Sequence, residues 1–269
     1  MSEFLDTKKV QSILLEDYKV LSDIWRIHCY NPVFTGGSVL GAVRHKGFIP
    51  WDDDLDVGLP RDEYEDFINN TSKELPDYLV LSWKARGQQY VISDTRYSIK
   101  LDEASQDTML EDQDDIAHPS IDLQVFDGTP NNSLLRFLYC CKVFFYRVCI
   151  KMSSPDRIHT GKWRPRWENV LIIILKKISF LFPREEKIMK KYLKYRKKYS
   201  FHNSRYVADF VGKYHFKDVY PKAWWYPTIE SPFEDINVPI PNGFDMYLRR
   251  LYGDYMTPPK SDDRIQHMV

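Results

Sequence analysis

At 269 residues, with 43% hydrophobic and 15% aromatic side chains, the chain fills the core of one large domain or two small ones, which excludes a chain too polar to fold. Its 38 Lys+Arg cancel its 38 Asp+Glu, so any attraction to a charged partner has to come from local patches. The four cysteines, Cys29, Cys140, Cys141 and Cys149, form no CxxC pair, which argues against a disulfide framework or a zinc site and for reduced packing residues.

The opening Met-Ser-Glu-Phe-Leu-Asp lacks the basic and apolar pattern of a signal peptide. Apolar runs such as Val170–Leu175 are too short to span a bilayer, so an intracellular chain is expected. Residues 6–28 have helical spacing, with Val10, Ile13, Leu14, Val20, Leu21, Ile24 and Ile27 as the apolar set. Pro32-Val-Phe-Thr reads as a short strand feeding Gly36-Gly37-Ser38. Gly37 and Ser38 supply unhindered backbone N–H groups and a hydroxyl. A helix opening over Val39–Val43 would turn its N-terminus toward an anion.

Pro50-Trp51-Asp52-Asp53-Asp54-Leu55-Asp56-Val57 follows about a dozen residues later. In a strand, residues two apart share a face, so Asp52, Asp54 and Asp56 aim together while Leu55 and Val57 enter the core. Asp53 then falls on the other side, as a solvated or capping residue. Hard divalent cations take oxygen ligands, and Mg2+ binds through one or two carboxylates plus substrate phosphates. A small-residue turn beside paired aspartates therefore suits phosphoryl-group transfer. An EF-hand reading of Asp52, Asp54, Asp56 and Glu63 fails at Val57, where that loop needs Gly, and at Pro60. A P-loop is absent, since no Gly-Lys-Ser/Thr follows the glycines. The bland alternative is a solvated acidic turn.

Pro60 ends the Asp-rich strand, and Arg61–Ile68 starts a helix with acids in its first turn. Leu79-Val-Leu, Tyr90-Val-Ile and Tyr97-Ser-Ile-Lys-Leu read as strands, and residues 102–119 as an acidic loop over the site. Ile121–Phe126 is a strand again, carrying Asp122 between Ile121 and Leu123. It ends at the turn signature Asp127-Gly-Thr-Pro, with Asp127 as a turn-former.

Charge then changes sign. Residues 1–133 hold 12 Lys+Arg against 25 Asp+Glu, residues 134–200 hold 18 against 4, and residues 201–269 hold 8 against 9. The middle segment is also apolar. Ser133–Ile150, Trp167–Phe182 and Arg184–Tyr199 read as helices, the second stopped by Pro183. Basic amphipathic helices suit anionic membrane surfaces. The alternative is a helical hairpin packed on the core with a solvated basic face. Nucleic acid is not expected as a partner, because no recognised binding motif accompanies the charge.

The run Thr35-Gly-Gly-Ser-Val-Leu-Gly-Ala-Val-Arg-His-Lys-Gly-Phe-Ile-Pro-Trp-Asp-Asp-Asp-Leu-Asp-Val-Gly58 resembles the signature of the LicD family of phosphocholine transferases. That family belongs to the nucleotidyltransferase-fold superfamily and is related to the eukaryotic fukutin group. The resemblance continues at Tyr97–Leu101, Ile121–Pro130 and Tyr247–Met256. It implies an α+β fold, with a nucleotidyltransferase-like mixed β-sheet core flanked by helices. Residues 1–133 with 201–269 are expected to form the catalytic domain, and residues 134–200 a basic amphipathic helical insertion as a candidate membrane-surface or acceptor-docking segment.

The resemblance further implies transfer of phosphocholine from CDP-choline to a sugar hydroxyl, releasing CMP. The acceptor would be a lipid-linked glycan of teichoic-acid or lipopolysaccharide type. Mg2+, with Mn2+ as the alternative, would sit on Asp54, Asp56 and Asp122. Asp122, the matched third carboxylate, takes the base-like role. Gly37, Ser38, Arg44, His45, Lys46 and Lys100 are the expected donor contacts. Trp51, Trp224, Trp225 and Tyr226 are candidates for cation–π binding of choline. Some fukutin-group relatives carry zinc, whose ligands are not evident here. The enzyme is expected in the cytoplasm, peripherally associated with the inner face of the plasma membrane. Rival readings are another CDP-linked or phospho-sugar donor, and a non-catalytic module that binds choline or anionic lipid.

Overall fold

The structure, a computed structural model, describes residues 6–84, 89–100, 116–153, 173, 177, 185–211 and 215–259. Their helices are α1 (Thr7–Ile27), α2 (Gly36–Leu40), α3 (Arg61–Asn69), α4 (Ser133–Ser153), α5 (Glu185–Arg196), α6 (Lys222–Trp225) and α7 (Phe244–Tyr252). The strands are β1 (Val33–Phe34), β2 (Leu55–Pro60), β3 (Leu79–Lys84), β4 (Gln89–Asp94), β5 (Ile99–Lys100) and β6 (Ile116–Ala117). They continue as β7 (Ser120–Gly128), β8 (Tyr206–Asp209), β9 (Val219–Pro221), β10 (Ile229–Phe233) and β11 (Ile236–Ile240).

One mixed sheet carries seven of these strands in the order β1-β2-β7-β4-β3, with β8 on β7 and β9 on β8. β2 and β7 run parallel, whereas β1–β2, β3–β4 and β4–β7 are antiparallel. With helices flanking this sheet, the fold is the α+β class expected from the family resemblance. Alternation does the work in β2 and β7: Leu55, Val57 and Leu59, and Ile121, Leu123 and Val125, enter the core. In α1 the Asp6 carboxylate accepts from the Lys9 N–H at 2.8 Å and caps the helix. The helix buries Val10, Ile13, Leu14, Tyr18, Leu21, Ile24 and Trp25, while the expected core residue Ile27 is 69% exposed.

The chain divides into two compact units, residues 1–126 with 207–269, and residues 127–206. In the second, Tyr139 of α4 stacks on Tyr195 of α5 at 5.0 Å and its hydroxyl donates to the Arg196 carbonyl at 3.0 Å. Arg196 Nε in turn donates to Asp127 Oδ2 at 2.6 Å, both side chains being buried. Asp127 is therefore a strand residue in a buried ion pair, not the expected turn-former.

Other departures are local. β2 begins at Leu55, so Asp52 and Asp54 lie on the approach to the strand. Asp53, expected to be solvated, is fully buried. Of the strand expected over Tyr97–Leu101, Tyr97 and Ser98 are not in a strand, Ile99–Lys100 pairs with Ile116–Ala117 apart from the main sheet, and Leu101 lies outside the described residues. Most of the expected loop over 102–119 and of the helix over 167–182 lies outside the described residues. All four cysteines are free. Cys140 and Cys149 are buried, but Cys29 is exposed rather than a packing residue. No helix among the described residues is long and apolar enough to cross a membrane.

Candidate active site

The site begins where β1 runs into α2. Thr35 N–H donates to the Asp56 carbonyl at 3.2 Å, and Asp56 N–H donates to Ser38 Oγ at 2.9 Å. These bonds lay the start of α2 directly over β2. The helix opens at Gly36, earlier than the expected Val39, and continues as a π-helical turn over Gly41–His45. Gly36 has φ +49°, and a Cβ there would stand 2.7 Å from Asp56 Oδ2. A Cβ on Gly37 would stand 2.9 Å from Asp52 Oδ2. The double glycine lets backbone sit against two carboxylates that any side chain would displace. Ser38 is buried, and its hydroxyl braces the strand.

Asp56 and Asp122 are direct neighbours across the parallel β2–β7 ladder. Each has one oxygen held by a glutamine: Gln124 Nε2 donates to Asp56 Oδ1 at 3.0 Å, and Gln89 Nε2 to Asp122 Oδ2 at 2.5 Å. Lys84 Nζ stands 3.8 Å from Asp122 Oδ1. Asp52 hydrogen-bonds Asp54 side chain to side chain. Burial, then the charges of Asp54 and Asp53, push Asp52 up to about 8. Burial pushes Asp56 well above the usual carboxylate range, reinforced by Asp54, Asp122, Asp52 and Asp209.

Burial and the neighbouring acids favour the protonated forms of Asp52 and Asp56, and arriving positive charge would oppose that. That tests the fit of a metal. The donors are all oxygen, as a hard divalent cation requires, and a cation would relieve the repulsion that raises Asp52 and Asp56. As the side chains stand, no three His, Cys, Asp or Glu among the described residues are grouped to hold an ion. Asp56 and Asp122 are brought together by register. Asp54 reaches them through its charge on Asp56.

The other expected contacts divide. Arg44 Nε donates to His45 Nε2 at 2.9 Å, and Arg44 Nη1 to the Tyr255 carbonyl at 2.8 Å. Burial, then the Arg44 charge, lowers the His45 pKa below its ordinary value, favouring the neutral ring. Half-buried Trp51 meets the His45 ring edge-on at 6.2 Å. Lys46 is exposed, with φ +60°. Lys100 has its backbone in β5, and its side chain lies outside what is described.

Trp224, Trp225 and Tyr226, the candidate aromatic cluster for choline, are placed in different surroundings. Trp225 is 1% exposed and packs on Phe126 at 4.3 Å and Tyr247 at 4.7 Å, which makes it core. The Tyr226 hydroxyl donates to the Asn31 carbonyl at 3.0 Å, and Trp224 is half-buried against Gly243.

Four contributors escaped sequence reasoning. Gln124 shares the Asp122 face by strand alternation, a signal that was present. Asp209 and Gln89 come from distant strands and carry no local signal. Tyr247 lies in the family-like tail, and its hydroxyl oxygen accepts from the Gly36 N–H at 2.8 Å. With Arg44 bonded to Tyr255, the C-terminal segment thus braces both ends of the helical stretch Gly36–His45.

Residues 32–125 match the family described as LicD/FKTN/FKRP, nucleotidyltransferase domain. Over 243 residues the chain is 30% identical to the lipopolysaccharide cholinephosphotransferase LicD of Haemophilus influenzae, an alignment covering 87% of this chain and 85% of that protein. The chain belongs to the LicD family. Two shorter matches are to uncharacterized rickettsial proteins. One from Rickettsia typhi is 32% identical over 83 residues, 29% of this chain and 26% of the relative. One from Rickettsia prowazekii is 39% identical over 49 residues, 17% of this chain and 18% of the relative. The carboxylates of the candidate site, Asp52, Asp53, Asp54, Asp56 and Asp122, all fall within the matched residues 32–125.

Proposed function

We propose that the protein is a phosphocholine transferase that moves phosphocholine from CDP-choline to a sugar hydroxyl of a lipid-linked glycan, of lipopolysaccharide or teichoic-acid type, and releases CMP. The observation that carries this reading is the side-by-side placement of Asp56 and Asp122 under the Gly36-Gly37 turn, in a chain aligned along most of its length with a cholinephosphotransferase. Asp54, Asp56 and Asp122 would hold Mg2+ or Mn2+, which when bound supplies positive charge to the diphosphate.

The residues of the chain do the rest. Asp122, oriented by Gln89 and Lys84, takes the proton of the acceptor hydroxyl as its oxygen bonds to the phosphorus bearing choline. The bond from that phosphorus to CMP breaks, and CMP leaves with the electron pair. Gly36 and Gly37 keep backbone close to the carboxylates, while Tyr247 fixes the turn. Trp51, half-buried beside His45, is better placed for the choline headgroup than Trp225. Positioning and charge stabilisation supply most of the rate. The enzyme works in the cytoplasm at the inner face of the plasma membrane, where a lipid-linked acceptor is presented.

Incubation with CDP-choline, Mg2+ and a membrane acceptor tests the reading through CMP release and label in the glycan. Release of CMP only from a CDP-alditol, or transfer only from a phospho-sugar donor, would replace the donor assignment. Choline or lipid binding without turnover would make the protein a binding module.

A further inference from the structure

The unit 127–206 joins a strongly basic composition to an apolar helix face that the described packing leaves in water. It holds 19 Lys+Arg against 5 Asp+Glu. In α4, Tyr139, Cys140, Val143, Cys149, Ile150 and Met152 are buried. Leu134, Leu135, Leu138, Phe145 and Val148 are exposed instead, Leu134 by 65% and Phe145 by 62%. At 100° per residue these five occupy an arc of roughly 140° over residues 134–148, with the exposed Lys142 within it; past Val148 the same side turns inward at Cys149 and Met152. In α5 the buried residues Ile188, Tyr192 and Arg196 form one stripe, and Lys187, Lys191 and Lys194 occupy the opposite, exposed side.

Apolar surface held in water is unfavourable in proportion to its area, and several large apolar side chains exposed together on the first four turns of α4 mark a docking surface. The helix is not long and apolar enough to cross a bilayer. An anionic bilayer surface meets both features, with acyl chains for the apolar arc and lipid phosphates for the lysines. A protein partner would account for the apolar arc, but charge complementarity over the whole unit favours lipid.

We propose that α4 docks in the headgroup–acyl boundary of an anionic membrane, inserting Leu134, Leu135, Leu138, Phe145 and Val148, while the lysines of the unit draw it to the surface. This deepens the peripheral placement proposed for the transferase.

The test uses the full chain with vesicles of phosphatidylcholine alone or mixed with phosphatidylglycerol, without donor or acceptor, so that its outcome is independent of the transfer reaction. Flotation should show binding to the mixed vesicles only, weakening as salt rises. The pair Leu138→Glu/Phe145→Glu should bind at least about tenfold more weakly with an unchanged thermal melt, both positions being exposed. Leu138→Ala/Phe145→Ala should weaken binding in the same direction without adding charge. Either pair binding like the natural chain overturns the proposal, as does equal binding to both vesicle types or binding to neither. A dimer that the glutamate pair dissociates, with vesicle binding unchanged, assigns the face to a second copy instead.

Discussion

In the unit 127–206, Asp127 is buried against an equally buried Arg196 whose Nε lies 2.6 Å from it. In the unit formed by 1–126 and 207–269, Asp52 and Asp56 are surrounded by further aspartates, and burial plus like charge drives both toward protonation. A buried charge that meets its opposite serves the fold. Carboxylates held against one another cost stability, and such clusters persist where a cation or a developing charge will use them. Asp17 stands between these extremes. It is buried beside Asp94, which Arg96 binds at 2.6 Å, and the guanidinium reaches Asp17 only at 3.5 Å. Burial, then the Asp94 charge, outweighs Arg96 and lifts Asp17 from 3.8 to about 7.

Four measurements break or sharpen this contrast. Asp122→Asn should lower kcat for CMP release by about 10²–10⁴-fold while leaving the thermal midpoint unchanged or raised, because it removes one charge facing Asp56. Full activity in this variant would strip the cluster of its catalytic meaning. Arg196→Met should destabilise the fold by about 3–5 kcal/mol in urea titrations, because Asp127 is left buried without its guanidinium partner. Adding Asp127→Asn should recover part of that loss, and a neutral single variant would erase the difference between the two units.

The third is a pH scan. Asp17 binds its proton more tightly folded than unfolded, so its contribution is fully present below about 4 and is lost as pH rises through about 7. Stability should therefore fall across that window, and Asp17→Asn should fall less, by roughly 1–3 kcal/mol at the alkaline end. Asp52 and Asp56 leave a residual slope of the same sign, which a divalent cation held by Asp54, Asp56 and Asp122 should flatten. The smallest effect belongs to Tyr247→Phe, which removes the acceptor of the Gly36 N–H at a cost of about 1 kcal/mol. Steady-state kinetics should show kcat reduced about tenfold with KM for CDP-choline nearly unchanged, since the turn and not the donor contact is loosened.

Local pattern made much of the architecture legible. The apolar spacing of α1, the alternation in β2 and β7, and the Gly-Gly-Ser turn each follow from steric and burial rules within a few residues. The candidate site was partly legible for the same reason, since Asp54, Asp56 and Asp122 stand in short motifs of small and alternating residues. Asp53 and Asp127 escaped that logic. Local polarity reads as exposure, and only partners brought from afar, Arg196 in the case of Asp127, reverse it.

The sequence by itself determined the family signature, the change in charge sign along the chain and the residue types at the site. Tertiary structure alone decided that Asp56 faces Asp122 across a parallel ladder and that Tyr247 reaches the Gly36 amide. It also decided that Trp225 is core while the leucines of α4 are exposed. The physical reason is range. Propensity and periodicity act over a few residues, whereas register, like-charge proximity and burial arise between residues some 66 to 211 positions apart, where one sequence read alone carries no distance.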